Sequence, residues 1–314
     1  MAAQPNAALP DGLTLGGYRI VKKIAVGGFS IVYLAEDAEG HAVAIKEYLP
    51  SALAVRTEGA LQPTVAAEHV ELYRIGLKYF FDEGRVLAGI VHPNVVRVLN
   101  FFRAHDTVYL VMGYEHGRSL QEHITHRRQK RDKPLISETA IRRMFGQVME
   151  ALREVHACKL LHLDLKPANI YLRADGTPIL LDFGAARQIL HADLSKLYPM
   201  YTPGFAAPEL STKKGLGPWT DIYSLGASIF TCMVGVPPQS ANERRENDRM
   251  EDYYQQLEDV YSTKLIALMR WSLMVDPMER PQSVFAMQKA LRDSAGSPHG
   301  MGGRFIAGVR RLVS

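Results

Sequence analysis

Four polar residues within eight positions, His162, Asp164, Lys166 and Asn169 of HLDLKPANI at 162–170, bring an acid, a cation and an amide together. Apolar segments bound them, LL at 160–161 and IYL at 170–172. Polar groups packed this closely between apolar runs need partners, or they cost desolvation energy. Downstream, DFG at 182–184 follows the apolar PILL, and APE at 207–209 follows an intervening stretch of 22 residues, 185–206. Upstream, VGGFSIVYLAED at 26–37 sets Gly27 and Gly28 at a strand-to-strand turn, where backbone N–H groups can approach an anion such as phosphate. VAIK at 43–46 ends a strand on Lys46. Alone, each fragment is weak, since glycine pairs are common hairpin turns and a strand lysine is ordinarily a solvated edge residue. The ordered series of glycine turn, VAIK, HxDxKxxN, DFG and APE is specific.

The elements that must position these residues change character once along the chain. Residues 18–112 hold the β-branched runs YRIVKKI, SIVYLAED, HAVAIKEY, VVRVLNFF and TVYLVMGY, which read as strands. One helical stretch interrupts them, at about 68–89, with Leu72, Ile75, Tyr79 and Val86 among its apolar positions. From Ser119 onward helical patterns dominate, at 137–158, 219–235, 251–274 and 281–293. A small sheet-rich lobe followed by a larger helical lobe is the expected architecture.

Composition narrows the class without naming a chemistry. The 314 residues carry 37 Lys+Arg and 33 Asp+Glu, a net +4, with 47% hydrophobic and 22% charged residues, which argues against disorder. No concentrated basic stripe points to nucleic acid, and no nucleic-acid partner is expected. Cys158 and Cys232 are isolated and read as reduced packing residues. The first 17 residues lack the basic start and apolar run of a signal peptide, and no apolar stretch reaches the roughly 18 residues of a membrane helix. A cytoplasmic chain without a membrane span is the expectation.

The ordered motifs resemble those of the eukaryotic-type (Hanks-type) Ser/Thr protein kinase family, and the wording KEYLP, HLDLKPANI, TPGFAAPE and TDIYSLG is similar to its bacterial members. The resemblance implies an α+β, bilobal protein-kinase fold over 18–294: an antiparallel β-sheet N-lobe with helix C (18–112), a hinge (113–117) and a mainly helical C-lobe (118–294). Residues 1–17 are expected to be a flexible tail, and 295–314 a flexible basic tail or linker. The implied activity is transfer of the γ-phosphoryl group of ATP to Ser/Thr hydroxyls of a protein substrate, with Mg²⁺, or Mn²⁺ as the alternative. By the same resemblance Lys46 pairs with the α- and β-phosphates and Glu83 of helix C holds it. Asp164 orients the substrate hydroxyl, Lys166 stabilises the moving phosphoryl group, and Asn169 and Asp182 hold metal. ATP is covered by Ala25, Val26, Gly27, Gly28, Phe29, Ser30, Val32 and Ala44. Met112 is the gatekeeper, Gly113, Tyr114 and Glu115 form the hinge, and Tyr171 lies on the floor. Ser195 and Thr202 fall in the activation segment, with Thr202 expected to bond Asp164 and Lys166. Glu209 and Arg280 match a structural ion pair, and Asp221 matches a helix residue that bonds the catalytic-loop backbone. Leu87, Val98, His162 and Phe183 match an apolar column.

The departures from the family pattern matter as much. Of the GxGxxG glycines only Gly27 remains, with Ala25 and Ser30 at the outer positions and Gly28 added. Leu163 replaces the Arg that normally pairs with an activation-loop phosphate, so activity with little dependence on that phosphorylation is expected. The alternative is a pseudokinase, a nucleotide-binding scaffold. Lys46 and Glu83 are 37 positions apart, which leaves room for an insertion at about 50–67, read as a surface loop or as a segment packed on the small lobe that acts on helix C. The basic run at 126–133 reads as a solvated loop or as a dock for an acidic partner, and the mixed-charge stretch at 242–252 as a solvated insertion. Oligomeric state is not legible.

Overall fold

The computed structural model describes residues 6–130, 136–183, 202–212 and 214–293. The chain divides into two compact units after His116, the described residues of the first being 6–116 and of the second 117–130, 136–183, 202–212 and 214–293.

Unit 1 contains β1 (Thr14–Leu15), β2 (Tyr18–Val26), β3 (Ser30–Glu36), β4 (Ala42–Tyr48), β5 (Ala54–Val55), β6 (Thr64–Val65), α1 (Val70–Ala88), β7 (Val98–Ala104) and β8 (Thr107–Gly113). Six strands form one antiparallel sheet in the order β1-β2-β3-β4-β8-β7, while β5 and β6 pair separately. The sheet curls far enough for Tyr18 of β2 to stack on Phe102 of β7, with ring centroids 6.4 Å apart and planes within 4°. Helix α1 buries Tyr73, Gly76, Phe80, Glu83, Gly84 and Leu87, a stripe at three- and four-residue spacing that packs on β7 and β8. Gly84 lets the helix approach closely, because a Cβ there would lie 2.7 Å from Leu110 Cδ1.

Cross-strand register divides the sheet into two faces. The pairs Val32↔Lys46, Leu34↔Ala44 and Ala44↔Met112 put Val32, Ala44, Lys46 and Met112 on one. The other face carries Ile31, Tyr33, Ala35, Val43, Ile45, Glu47, Tyr109 and Val111, none more than 3% exposed. What covers it is the insertion and the N-terminal segment. Arg56, from the insertion, donates to Glu47 through Nη1 (2.5 Å) and Nη2 (2.8 Å), to Tyr33 Oη (2.9 Å) and to Ala7 O (2.8 Å). Tyr33 and Tyr109 hydroxyls also donate to Glu47, at 2.7 and 2.8 Å. Asn6 accepts from Arg56 N at 2.7 Å and donates to Ala54 O at 3.2 Å. Burial works against the guanidinium's charge, but the Glu47 bonds prevail and push the Arg56 pKa up. Burial and Glu47 raise the Tyr33 and Tyr109 pKa values as well. Residues 6–17 therefore depart from the expected flexible tail, and the insertion is packed on the sheet instead of lying as a free surface loop. The physical reason is one buried guanidinium that draws both segments onto the carboxylate beneath.

Unit 2 contains β9 (Gly117–Ser119), α2 (Leu120–Gln129), α3 (Glu138–Ala157), a 3₁₀ turn (Pro167–Asn169), β10 (Ile170–Arg173), β11 (Pro178–Leu180), α4 (Pro208–Thr212), α5 (Pro218–Val234), α6 (Ala241–Glu246), α7 (Met250–Leu257), α8 (Thr263–Ser272) and α9 (Val284–Asp293). Strands β11, β10 and β9 form a small antiparallel sheet. Every residue of α5 from Thr220 to Val234 is buried, so this helix is the core around which the unit packs. Among the described residues no helix is long and apolar enough to cross a membrane. Cys158 is exposed and Cys232 buried, both as free thiols.

Two expectations for this unit need correction. The single helix expected over 251–274 is two, because Ser262 caps a new helix through Leu265 N (3.3 Å) and the Tyr261 hydroxyl donates to Ile136 O (2.8 Å). The stretch 242–252 is not simply solvated: Ser240 and Glu243 form a capping box for α6, and Arg244 is buried, donating to Leu273 O (2.5 Å) and to Asp248. The described part of the basic run also has a structural task. Arg128 donates to the carbonyl of Gly235 (3.0 Å), the left-handed residue (φ 87°) that ends α5. Residues 131–133 of that run and the expected tail at 295–314 lie outside the described residues.

Candidate active site

In unit 1 the glycine turn is a narrow hairpin. Val26 pairs with Ile31, and Gly27 N donates to Ser30 O at 2.8 Å, which leaves Gly28 and Phe29 at the tip. Ala25, Val26, Gly27 and Gly28 are exposed, whereas Ser30 is buried. Lys46 is 6% exposed on the half-open face of the sheet, its Nζ 5.5 Å from the Phe80 ring centroid. Phe80 stands one helical turn before the buried Glu83, so lysine and carboxylate approach the same stretch of the α1–sheet interface. Tyr48, on the Lys46 side of β4, packs between Tyr73 and Phe80 and fixes the helix against the strand. Gly113 closes β8, donating to Arg97 O at 2.9 Å, and Tyr114 and Glu115 follow it half-buried.

In unit 2 the cluster at 162–170 is assembled by bonds to a buried carboxylate. Asp221, on α5, accepts from His162 N (2.8 Å), Leu163 N (2.7 Å) and His156 Nε2 (2.8 Å). Burial alone would raise the Asp221 pKa, but the His156 bond and neighbouring charge hold it below the ordinary carboxylate value. His162 is fully buried; Nε2 meets Leu181 O at 3.0 Å, and the ring lies 4.6 Å from that of Phe183. Burial depresses its pKa, and because the Leu181 carbonyl can only accept, Nε2 carries a proton. Leu163 adopts φ 63°, a left-handed conformation that costs a non-glycine residue about 1–2 kcal/mol. Asp221 holds that backbone in place.

This scaffold turns the polar side chains toward one another. Lys166 Nζ donates to Asp164 Oδ1 (3.0 Å) and to Thr202 Oγ1 (3.0 Å). Asn169 Nδ2 donates to Asp164 O (2.7 Å) and Oδ2 (2.9 Å). Both partners of that amide nitrogen are pure acceptors, so Asn169 Oδ1 is the oxygen left for other ligands. Leu181 N donates to Asn169 O at 3.0 Å, which ties the residue before Asp182 to the same turn. Asp182, the next residue, adopts the left-handed φ of 54°. Tyr171 is half-buried on β10, opposite Ser119 and Ile179.

Glu209 and Arg280 form a bidentate buried pair at 2.7 and 3.1 Å, and Arg280 also reaches the carbonyls of Met274, Trp219 and Val275. Thr220 Oγ1 donates to the same Glu209 at 3.0 Å. Ser195 lies outside the described residues. The contacts of Arg56, Glu47, Ser51 and His156 were not anticipated from sequence, where nothing distinguishes them from surface residues.

A profile of the family described as "Protein kinase domain" matches residues 18–293. Among solved structures, the chain is similar to the apo form of PpkA-294, at 32% identity and TM-score 0.81, over 90% of this chain and 99% of that one. It is also similar to a single-residue mutant of the kinase domain of Mycobacterium tuberculosis PknI, at 22% identity and TM-score 0.69, over 92% and 100% of the two chains. A double mutant of that same domain gives 24% identity and TM-score 0.68 over the same shares. The chain belongs to the protein kinase family, with the eukaryotic-type bilobal α+β fold.

Proposed function

We propose that the protein is an ATP-dependent Ser/Thr protein kinase whose activity depends little on phosphorylation of its activation segment. The observation that carries this reading is the bonded set Asp164–Lys166–Thr202 with Asn169 on the same aspartate. Phosphoryl transfer asks a protein for alignment and charge neutralisation, and this set supplies both. An Asp164 oxygen would orient the incoming hydroxyl and take its proton as the oxygen attacks the γ-phosphorus. The bond to the β-phosphate bridging oxygen breaks, and that oxygen leaves on ADP. Lys166 donates N–H to the phosphoryl oxygens during transfer, while Thr202, held by Lys166, keeps the lysine from swinging away. Lys46 would meet the α- and β-phosphates from unit 1, with Val32, Ala44 and Met112 against the base.

The donor set fits a hard divalent cation: Asn169 Oδ1 and the Asp182 carboxylate are the oxygens that would hold Mg²⁺ or Mn²⁺. The ion supplies neutralisation of phosphate charge. Thr202 beside Lys166 supports a Ser/Thr hydroxyl as acceptor, and Leu163 supports independence from activation-segment phosphate, since it offers no guanidinium.

The test is label transfer from γ-labelled ATP with Mg²⁺ to a generic protein substrate, by the parent and by Asp164→Asn. Transfer by the parent alone is expected, with nucleotide binding retained in both. Binding without transfer in either would instead support a nucleotide-binding scaffold. A Ser195→Ala, Thr202→Ser variant should keep most turnover, because Thr202→Ser preserves the hydroxyl that meets Lys166. Near-total loss with unchanged folding would overturn the independence.

A further inference from the structure

The carbonyls at the tip of the glycine turn are held by Leu49, just after β4, and by Ser51 at the start of the insertion. Phe29 O accepts from Leu49 N at 2.8 Å, and Gly28 O accepts from both Ser51 N (2.9 Å) and Ser51 Oγ (3.2 Å). These bonds continue the β3–β4 ladder beyond its last pair, Ser30↔Tyr48, out to the tip. Ser51 is itself fixed, because Pro50 O accepts from Leu53 N and Ala54 N, both at 2.9 Å, in a turn whose second residue is Ser51. Five residues on, Arg56 anchors the segment to Glu47, the residue next to Lys46.

A peptide unit is planar and trans, so fixing one carbonyl also fixes the N–H of the following residue, pointing the opposite way. Holding Gly28 O on Ser51 thus aims the Phe29 N–H away from the insertion, as holding Phe29 O on Leu49 aims the Ser30 N–H. A loop with glycine at all three family positions reaches its phosphate-binding shape through freedom, at a cost in entropy. Here Ala25 and Ser30 remove two of those glycines, and the Ser51 bonds supply orientation in their place. We propose that Ser51 is a positioning residue for the nucleotide phosphates, presetting the backbone donors of the turn. This rests on the reading that the protein binds ATP.

The experiment compares Ser51→Pro, Ser51→Ala and Ser51→Thr with the parent. Proline suits the second position of a β-turn, so it keeps the turn while removing both donors to Gly28 O. Alanine keeps the N–H, and threonine keeps both donors. Affinity is read by fluorescence titration with ADP and Mg²⁺, KM for ATP and kcat by label transfer, and folding by the Tm of the nucleotide-free protein. Ser51→Pro is expected to weaken ADP binding and raise KM for ATP by about tenfold while leaving kcat within about twofold. Ser51→Ala should fall between, Ser51→Thr should match the parent, and Tm should stay unchanged across the set. Parent-like ADP affinity in Ser51→Pro would overturn the proposal, as would a loss of Tm that tracks the loss of binding. A parent that binds no ADP would instead bring down the nucleotide reading, and this proposal with it.

Discussion

Arg280 spends its whole donor fork on four residues: both Glu209 oxygens and the carbonyls of Met274, Trp219 and Val275. A lysine has fewer donors and no planar fork, so Arg280→Lys is not a conservative change here. Removing one partner of a buried pair costs about 3–5 kcal/mol, and Glu209→Ala should lose that much in a urea titration, because it leaves the guanidinium uncompensated. A loss below about 1 kcal/mol would mean that the pair behaves like a surface one. At this scale the Lys166–Thr202 contact, the bonds of Asp221 to the backbone at 162–163 and the Glu209–Arg280 pair were legible, because each residue sits in a short motif. Arg56 was not legible. It lies in ordinary loop sequence, and only the fold reveals that Glu47 waits beneath it with Tyr33 and Tyr109.

Elements were read well where hydrophobic period and punctuation agreed, as in the strands carrying YRIVKKI, SIVYLAED and HAVAIKEY. They were read poorly where an apolar pattern runs on across a cap. Tyr254, Leu257 and Leu265 are all buried, so their spacing hides the break that Ser262 makes between α7 and α8. Helix α2 was missed as a separate element because its polar last turn, HRRQ, outweighs the two residues it buries, Leu120 and Ile124. Close approach between elements gives a sharp prediction. A Cβ on Gly226 of α5 would lie 2.7 Å from Ser272 Cβ on α8, in a region with no exposed side to yield. Gly226→Ala should therefore destabilise the fold by about 1–3 kcal/mol through overpacking, despite alanine's better helix propensity. Thermal unfolding checks this, and a higher Tm would show that propensity wins.

Across the whole molecule, buried titratable groups set an acid limit. Burial holds the His162 pKa below its ordinary 6.5, so below that pH the unfolded chain takes up a proton that the folded chain refuses. Its contribution is complete above pH 6.5 and is lost as pH falls. Asp221, and Glu138 with its Ser262 and Arg142 bonds, have pKa values below the ordinary 3.8 and 4.5, and lose their contribution only as pH falls through the depressed values. Stability should therefore decline in two stages, and His162→Phe should flatten the upper one when denaturation midpoints at about pH 7.5 and about pH 5.5 are compared. Equal pH dependence in the two proteins would assign the upper stage elsewhere. The two-unit organisation was legible from the single change in pattern near Ser119, but the inner border of the first unit was not. The family match starts at residue 18, whereas the hydrogen-bonded fold is already under way at Asn6. Asn6 and Ala7 close the cage around Arg56, and Arg56 neutralises the carboxylate adjacent to Lys46 on β4. Cleaving the chain after Pro10 would thus act as a mutation of the strand that bears Lys46.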